Sequence, residues 1–198
     1  MSAVCVYCSS SELIDQRYKV LAADVGTALA QHGYDLVSGG GSISCMGAVA
    51  RAARAAGAHT TGVIPEALMT LEVHDADADD LIVVPDMRVR KAVMDDRSDA
   101  FLTLPGGIGT LEELVEVWTA RSLHMHAKPV VILDPWHDFA ALHDLVGHLE
   151  KTGFMRQAAV TQVVWTYTVE DALAAIAAGI GAQSSIEPTA AEMLEAEA

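Results

Sequence analysis

The sequence predicts a single α/β domain built on a doubly wound parallel sheet. Short apolar runs recur along the chain, and each leads into a longer stretch of helical periodicity. Alternation of this kind folds as a parallel sheet with helices on both faces. Glycine-rich turns stand at two strand-to-helix junctions, and ligands in such sheets bind at the carboxyl ends of the strands. No internal repeat or linker divides the 198 residues, which suffice for one sizeable core.

In chain order, Ala3–Cys8 reads as the first strand. Ser9 and Ser10 lead into an amphipathic helix from about Ser11 to His32, ended by Gly33. Cys5 and Cys8 lie three apart, which on a strand places them on opposite faces and unsuits them for a disulfide or a metal. Tyr34–Ser38 is the second strand, followed by Gly39-Gly40-Gly41-Ser42 and an alanine-rich helix, Ala48–Ala56. Thr60–Ile64 is the third strand. Residues 65–80 read as a loop or broken helix carrying Glu72 and the acidic run His74–Asp80. That run lacks the glycine and spacing of a calcium loop, so a solvated loop is expected. Leu81–Val84 is the fourth strand, and a helix bearing Met87, Arg88, Arg90 and Lys91 runs to about Ser98. Ala100–Leu104 is the fifth strand, and a helix is expected over Leu111–Leu123. Lys128–Leu133, a helix over Phe139–Lys151, a last strand Val160–Trp165 and a last helix Val169–Ala178 complete a domain of residues 1–180. Residues 181–198 form an acidic, alanine-rich end expected to be a flexible tail.

Charge and composition narrow the function. Net charge is −15, with 12 Lys+Arg against 27 Asp+Glu, and a nucleic-acid surface would need a basic stripe. The chain is 52% hydrophobic but has no apolar run long enough for a bilayer. Its N-terminus enters a strand directly and does not read as a signal peptide, so a cytoplasmic protein without membrane contact is expected. His124-x-His126 is the nearest approach to metal spacing. A structural site needs more ligands, so no metal is expected.

The most informative stretch is Leu104-Pro105-Gly106-Gly107-Ile108-Gly109-Thr110-Leu111-Glu112-Glu113. A strand turning on glycines into a helix offers free backbone N–H groups to an anion. Thr110 is placed to cap that helix, and Glu113 falls in its expected first turn. An acid there is favoured by the helix dipole alone. Glycines and carboxylate together also make a phosphate site beside a group capable of chemistry. The earlier turn, Gly39–Ser42, lacks both the G-x-G-x-x-G spacing of a dinucleotide site and the Lys-Ser/Thr of a P-loop. Three cations cluster at Arg88, Arg90 and Lys91, unfavourable at a helix start unless an anion is near. On a helix Arg90 and Lys91 diverge, so one of them should face a pocket. Topology gathers Ser10, Gly40, Gly41, Met87, Arg90 and the segment Gly107–Glu113 at the strands' carboxyl ends.

Gly39-Gly40-Gly41-Ser42-x-x-x-Met46-Gly47, Met87-x-x-Arg90-Lys91 and Pro105-Gly106-Gly107-x-Gly109-Thr110-x-x-Glu113, in this order, resemble the LONELY GUY family of cytokinin-releasing phosphoribohydrolases. The resemblance runs from about Ala3 to Ile176. It implies a Rossmann-like fold, a homodimer, no cofactor, and a nucleoside 5′-monophosphate lying across the glycine turns. By motif, Arg90 and Glu113 match the family's catalytic pair. Glu72, Lys91, Gly107, Ile108, Gly109, Thr110, Leu111, Glu112, Glu113 and Thr119 match its substrate-contacting positions. Many members read Met-His-x-Arg-Lys where this chain has Arg88, a departure that bears on base preference. Related proteins are often labelled lysine decarboxylases, but neither Lys91 nor Lys128 has the setting of a pyridoxal-phosphate lysine. The implied reaction hydrolyses an N6-substituted AMP to free base and ribose 5-phosphate. Glu113 would face the sugar, with Glu116 a weaker candidate. General AMP hydrolysis and nucleotide binding without catalysis are the alternatives.

Overall fold

A computed structural model describes residues 1–69 and 74–183. Seven strands form one sheet in the order β4-β3-β2-β1-β5-β6-β7, every pair parallel. The strands are β1 Ala3–Tyr7, β2 Asp35–Ser38, β3 Thr60–Pro65, β4 Asp80–Val84, β5 Ala100–Thr103, β6 Val130–Leu133 and β7 Val163–Thr166. The helices are α1 Gln16–Gln31, α2 Ser44–Ala55, α3 Met87–Asp96, α4 Ile108–Ser122, α5 Ala140–Lys151, α6 Gln157–Val160 and α7 Val169–Gln183. All seven predicted strands are present, and the sheet is doubly wound as expected.

Strand alternation explains the two-sided core. Val4, Val6 and Cys8 face one layer, where Leu21, Val25 and Leu29 of α1, Val49 of α2 and Ile176 of α7 pack. Cys5 and Tyr7 face the other, with Met94 of α3, Leu114 and Trp118 of α4, and Val146 of α5. Cys5 and Cys8 thus lie in opposite layers. All three cysteines are free and buried.

Several boundaries differ from expectation for physical reasons. The first helix begins at Gln16, where Asp15 accepts a hydrogen bond from the Arg17 N–H. The four-residue α6 is too short to show a period and falls where the last strand was expected to begin. Helix α7 continues to Gln183, beyond the expected end of the domain; Gly179 lets it approach Pro129, which a Cβ would meet at 2.4 Å. Residues 184–198 lie outside the described residues.

The acidic run is not a solvated loop. Arg54 grips the buried Asp75 with two hydrogen bonds of 2.8 and 3.0 Å. Asp79 accepts from both the backbone and hydroxyl of Thr60. The run is thereby pinned to the edge of the sheet. Among the described residues, no helix is long and apolar enough to cross a membrane.

Candidate active site

The strand order reverses beside β1, whose neighbours are β2 and the much later β5. Parallel sheets open a crevice at such a switch point. Here it is a cavity of about 310 Å³, lined by residues 8–11 after β1, Gly39 after β2, Met87 and Arg90 of α3, and Gly107, Gly109, Thr110, Glu112 and Glu113 around the start of α4. The four stretches that topology was expected to gather therefore meet.

Arg90 and Glu113 form its inner wall. Asp86 caps α3 by accepting hydrogen bonds from the backbones of Arg88 and Val89. Arg90 follows one turn in and points back at the sheet. It is 7% exposed. Its Nε donates to the Val63 carbonyl at 3.1 Å and its Nη2 to the Gly39 carbonyl at 3.3 Å. Nη1 lies 3.7 Å from Met87 Sδ and 3.8 Å from Glu113 Oε1. Three of the five guanidinium N–H groups are so engaged, which fixes the plane and leaves donors for the crevice.

Glu113 is 9% exposed. Burial pushes its carboxyl pKa up to about 7, against the pull of Arg90; Glu112 raises it further, Lys91 lowers it, and Glu116 raises it. A carboxyl with a raised pKa set against a fixed cation in a crevice makes a candidate functional site.

The helix bearing it starts earlier than expected. Gly107 is the N-cap, with no side-chain cap, and Ile108–Thr110 form the first turn. Thr110 is therefore not the cap: it is buried, and its side chain fills the place beside Gly106, where a Cβ would meet Oγ1 at 2.2 Å. Glu113 consequently stands in the second turn, too deep for a dipole role alone. The first-turn amides have no partner within the helix. Nothing lies within 4 Å of a Cβ built on Gly107 or Gly109. The backbone here is open to a ligand.

Other expected residues separate from this crevice. Lys91, Ile108, Leu111 and Thr119 line a second, largely apolar groove of about 920 Å³ between α3 and α4, whose rim Glu112 shares with the crevice. Lys91 is ion-paired with Glu112 and, at 2.6 Å, with Glu116. Arg90 and Lys91 diverge on the helix as expected, but each lines a cavity, where only one was expected to face a pocket. Gly40 and Gly41 are buried outside the crevice lining: Gly40 packs on β3, and Gly41 bridges to His74. Glu72 lies outside the described residues. Ser10 and Met87 line the crevice as expected. Among the lining residues that sequence reading did not single out are Val6, Ser11, Gly39, Leu68 and Met94. Gly39 was marked only as part of a triple glycine, and Leu68 carries no local signal.

A parallel sheet with a switch-point crevice, an open helix start and a buried acid–guanidinium pair defines a nucleotide-handling α/β protein. The family described as "Possible lysine decarboxylase" matches residues 46–176, and the chain belongs to it. A Mycobacterium tuberculosis protein named "Cytokinin riboside 5'-monophosphate phosphoribohydrolase" is 49% identical over 178 residues, 88% of this chain and 92% of its own length. The protein of the same name from Mycobacterium marinum is 47% identical, covering 89% and 94%. LOG3 of Arabidopsis thaliana, also so named, is 39% identical, covering 85% and 78%. Among solved structures, the molybdenum cofactor carrier protein of Chlamydomonas reinhardtii superposes with a TM-score of 0.69 at 23% identity, covering 91% of this chain and 98% of its own. That likeness shows the shared fold.

Proposed function

We propose that this protein hydrolyses the N-glycosidic bond of cytokinin riboside 5′-monophosphates, giving free cytokinin and ribose 5-phosphate. The observation that carries this reading is the buried Arg90–Glu113 pair beside the open amides of α4. The names of the relatives support the same substrate class. The 5′-phosphate lies on the first-turn amides of α4, which need no basic patch in a chain of net charge −15. Departure of the base builds positive charge at ribose C1′. Ionised Glu113 stabilises that charge and orients the attacking water. Arg90 stabilises the leaving base by hydrogen bonding, and the base takes its proton from water.

Pyridoxal-phosphate chemistry does not fit these residues. Lys91 is tied to Glu112 and Glu116, and Lys128 donates to Asp95 at 2.5 Å. A Schiff-base lysine must instead give up its proton.

The working unit is a homodimer. Its interface is the α3–α4 face, where Val89, Ile108, Val115, Leu123 and Met125 are exposed, Ile108 at 84%. A contiguous apolar face of this kind marks an interaction surface. The three free, buried cysteines accord with a reducing, cytoplasmic setting.

Incubating the purified protein with isopentenyladenosine monophosphate and following free base by chromatography tests the reaction, with AMP and isopentenyladenosine in parallel. Release from the N6-substituted nucleotide alone supports the reading. Equal turnover of AMP makes the enzyme a general nucleotide hydrolase, and no release from any nucleotide makes it a binding protein. Light scattering tests the dimer: Val115→Asp should shift the mass to that of one chain.

A further inference from the structure

We propose that Gly39 is a positioning residue, whose missing side chain and carbonyl together set the Arg90 guanidinium against Glu113. This inference rests on the reading of Arg90 and Glu113 as the reacting pair.

Gly39 follows β2 and is separated from Arg90 by 51 positions, yet the two are in direct contact. Its carbonyl accepts from Nη2 at 3.3 Å. A Cβ built on it would stand 1.8 Å from the same Nη2, 2.9 Å from Cζ and 3.3 Å from Met46 Sδ. The Nη2 end of the guanidinium therefore occupies the space beside the Gly39 backbone, and any side chain there takes its place. Val63 holds Nε from the other side at 3.1 Å. Arg90 is thus seated on two backbone carbonyls, one just after β2 and one in β3, with Glu113 Oε1 3.8 Å from its Nη1.

A methyl group at Gly39 would leave the fold intact. The atoms it strikes belong to the end of a long side chain, which can swing away; they are not backbone. The carboxyl of Glu113 is faced by Arg90 and Lys91 from α3, by Glu112 and Glu116 on its own helix, by Cys5 and Tyr7 from β1, and by Cys8 just after it. Arg90 is the stronger of the two cations holding its pKa down. Displacing that cation must raise the pKa.

Gly39→Ala should therefore lower kcat/KM at pH 7 by about tenfold or more, the scale of a misplaced catalytic group. The acid limb of its pH profile, which reports the free enzyme, should move to higher pH. Gly39→Ala combined with Arg90→Lys should be no slower than Arg90→Lys alone, because both changes act on one group. A Gly39→Ala enzyme that melts lower but keeps the wild-type acid limb would overturn the proposal and leave the glycine a packing residue. Additive losses in the double variant would do the same. Arg90→Ala with normal kinetics would instead overturn the reading on which it rests.

Discussion

After β2, a methyl group at Gly39 would strike Arg90, one at Gly40 would crowd the backbone of Val63, and one at Gly47 would meet the Ser42 carbonyl at 1.8 Å. After β5, Gly107 and Gly109 would meet nothing within 4 Å. Two glycine turns of similar sequence therefore do different things. The first is closed: its glycines let protein pack on protein, and the result is a seated guanidinium. The second is open at its helix start: Gly106 packs against Thr110, but Gly107 and Gly109 keep protein away from the first turn of α4. A glycine that nothing touches is free to be touched by a ligand. The comparison teaches that the first turn seats the Arg90–Glu113 pair, while the second leaves helix amides free for the phosphate of the proposed substrate.

Removing a member of the pair should have the largest effect. Glu113→Gln should cut turnover by at least about a hundredfold while nucleotide binding, measured calorimetrically, stays near wild type. Arg90→Ala should lose as much, because it also leaves a buried carboxyl without its cation. Turnover within a few-fold of wild type in either variant would detach the closed turn from the chemistry.

The same acid should weaken the fold at high pH. Its folded pKa, about 7, lies above the ordinary carboxylate value of 4.5. Stability linked to its proton is full below pH 4.5 and is lost as the pH rises through about 7. Glu113→Gln cannot ionise. It should match wild type near pH 4.5 and exceed it by about 3 kcal/mol above pH 8, as chemical denaturation would read. Equal stability at both values would mean that the carboxyl is solvated and not held at the pair.

Breaking the closed turn by strain comes next. Gly40 has φ +74°, which L residues rarely adopt. A Cβ there would sit 3.2 Å from Val63 N. Gly40→Ala should destabilise by about 2 kcal/mol. A melting curve unchanged from wild type would show that this turn is not packed as described.

How much of this could be read in the sequence depends on the range of each interaction. The strands were legible because apolar runs and their glycine ends are local. So was the divergence of Arg90 and Lys91, which follows from the angle between successive helical residues. The start of α4 was not. Glycine is a poor helix former, so Gly109 reads as turn, yet tertiary packing around Thr110 carries the helix back to Ile108. The fixing of Asp75 by Arg54 escaped because the partners are 21 positions apart. Gly39 escaped more completely: its role is set by a side chain 51 positions away, and a triple glycine gives no sign of which member faces it. At the crevice, the residues bearing charge were therefore legible in the sequence, and the backbone that aims them was not.

The smallest effect should fall on the open turn, and it distinguishes the two turns most sharply. Gly109 is the second residue of α4 and both it and Gly107 face open space. Alanine at Gly109 favours helix and touches nothing, so Gly109→Ala should melt no lower than wild type. Yet its methyl group projects where a phosphate must approach the amides. KM for the nucleotide should rise about tenfold, the loss of roughly one good hydrogen bond to a charged group, with kcat little changed. That pattern is the reverse of the one expected at Gly40, where stability falls, and of the one at Gly39, where the acid limb moves. If Gly109→Ala instead lowered the melting temperature and left KM alone, both turns would be packing devices and the phosphate would bind elsewhere.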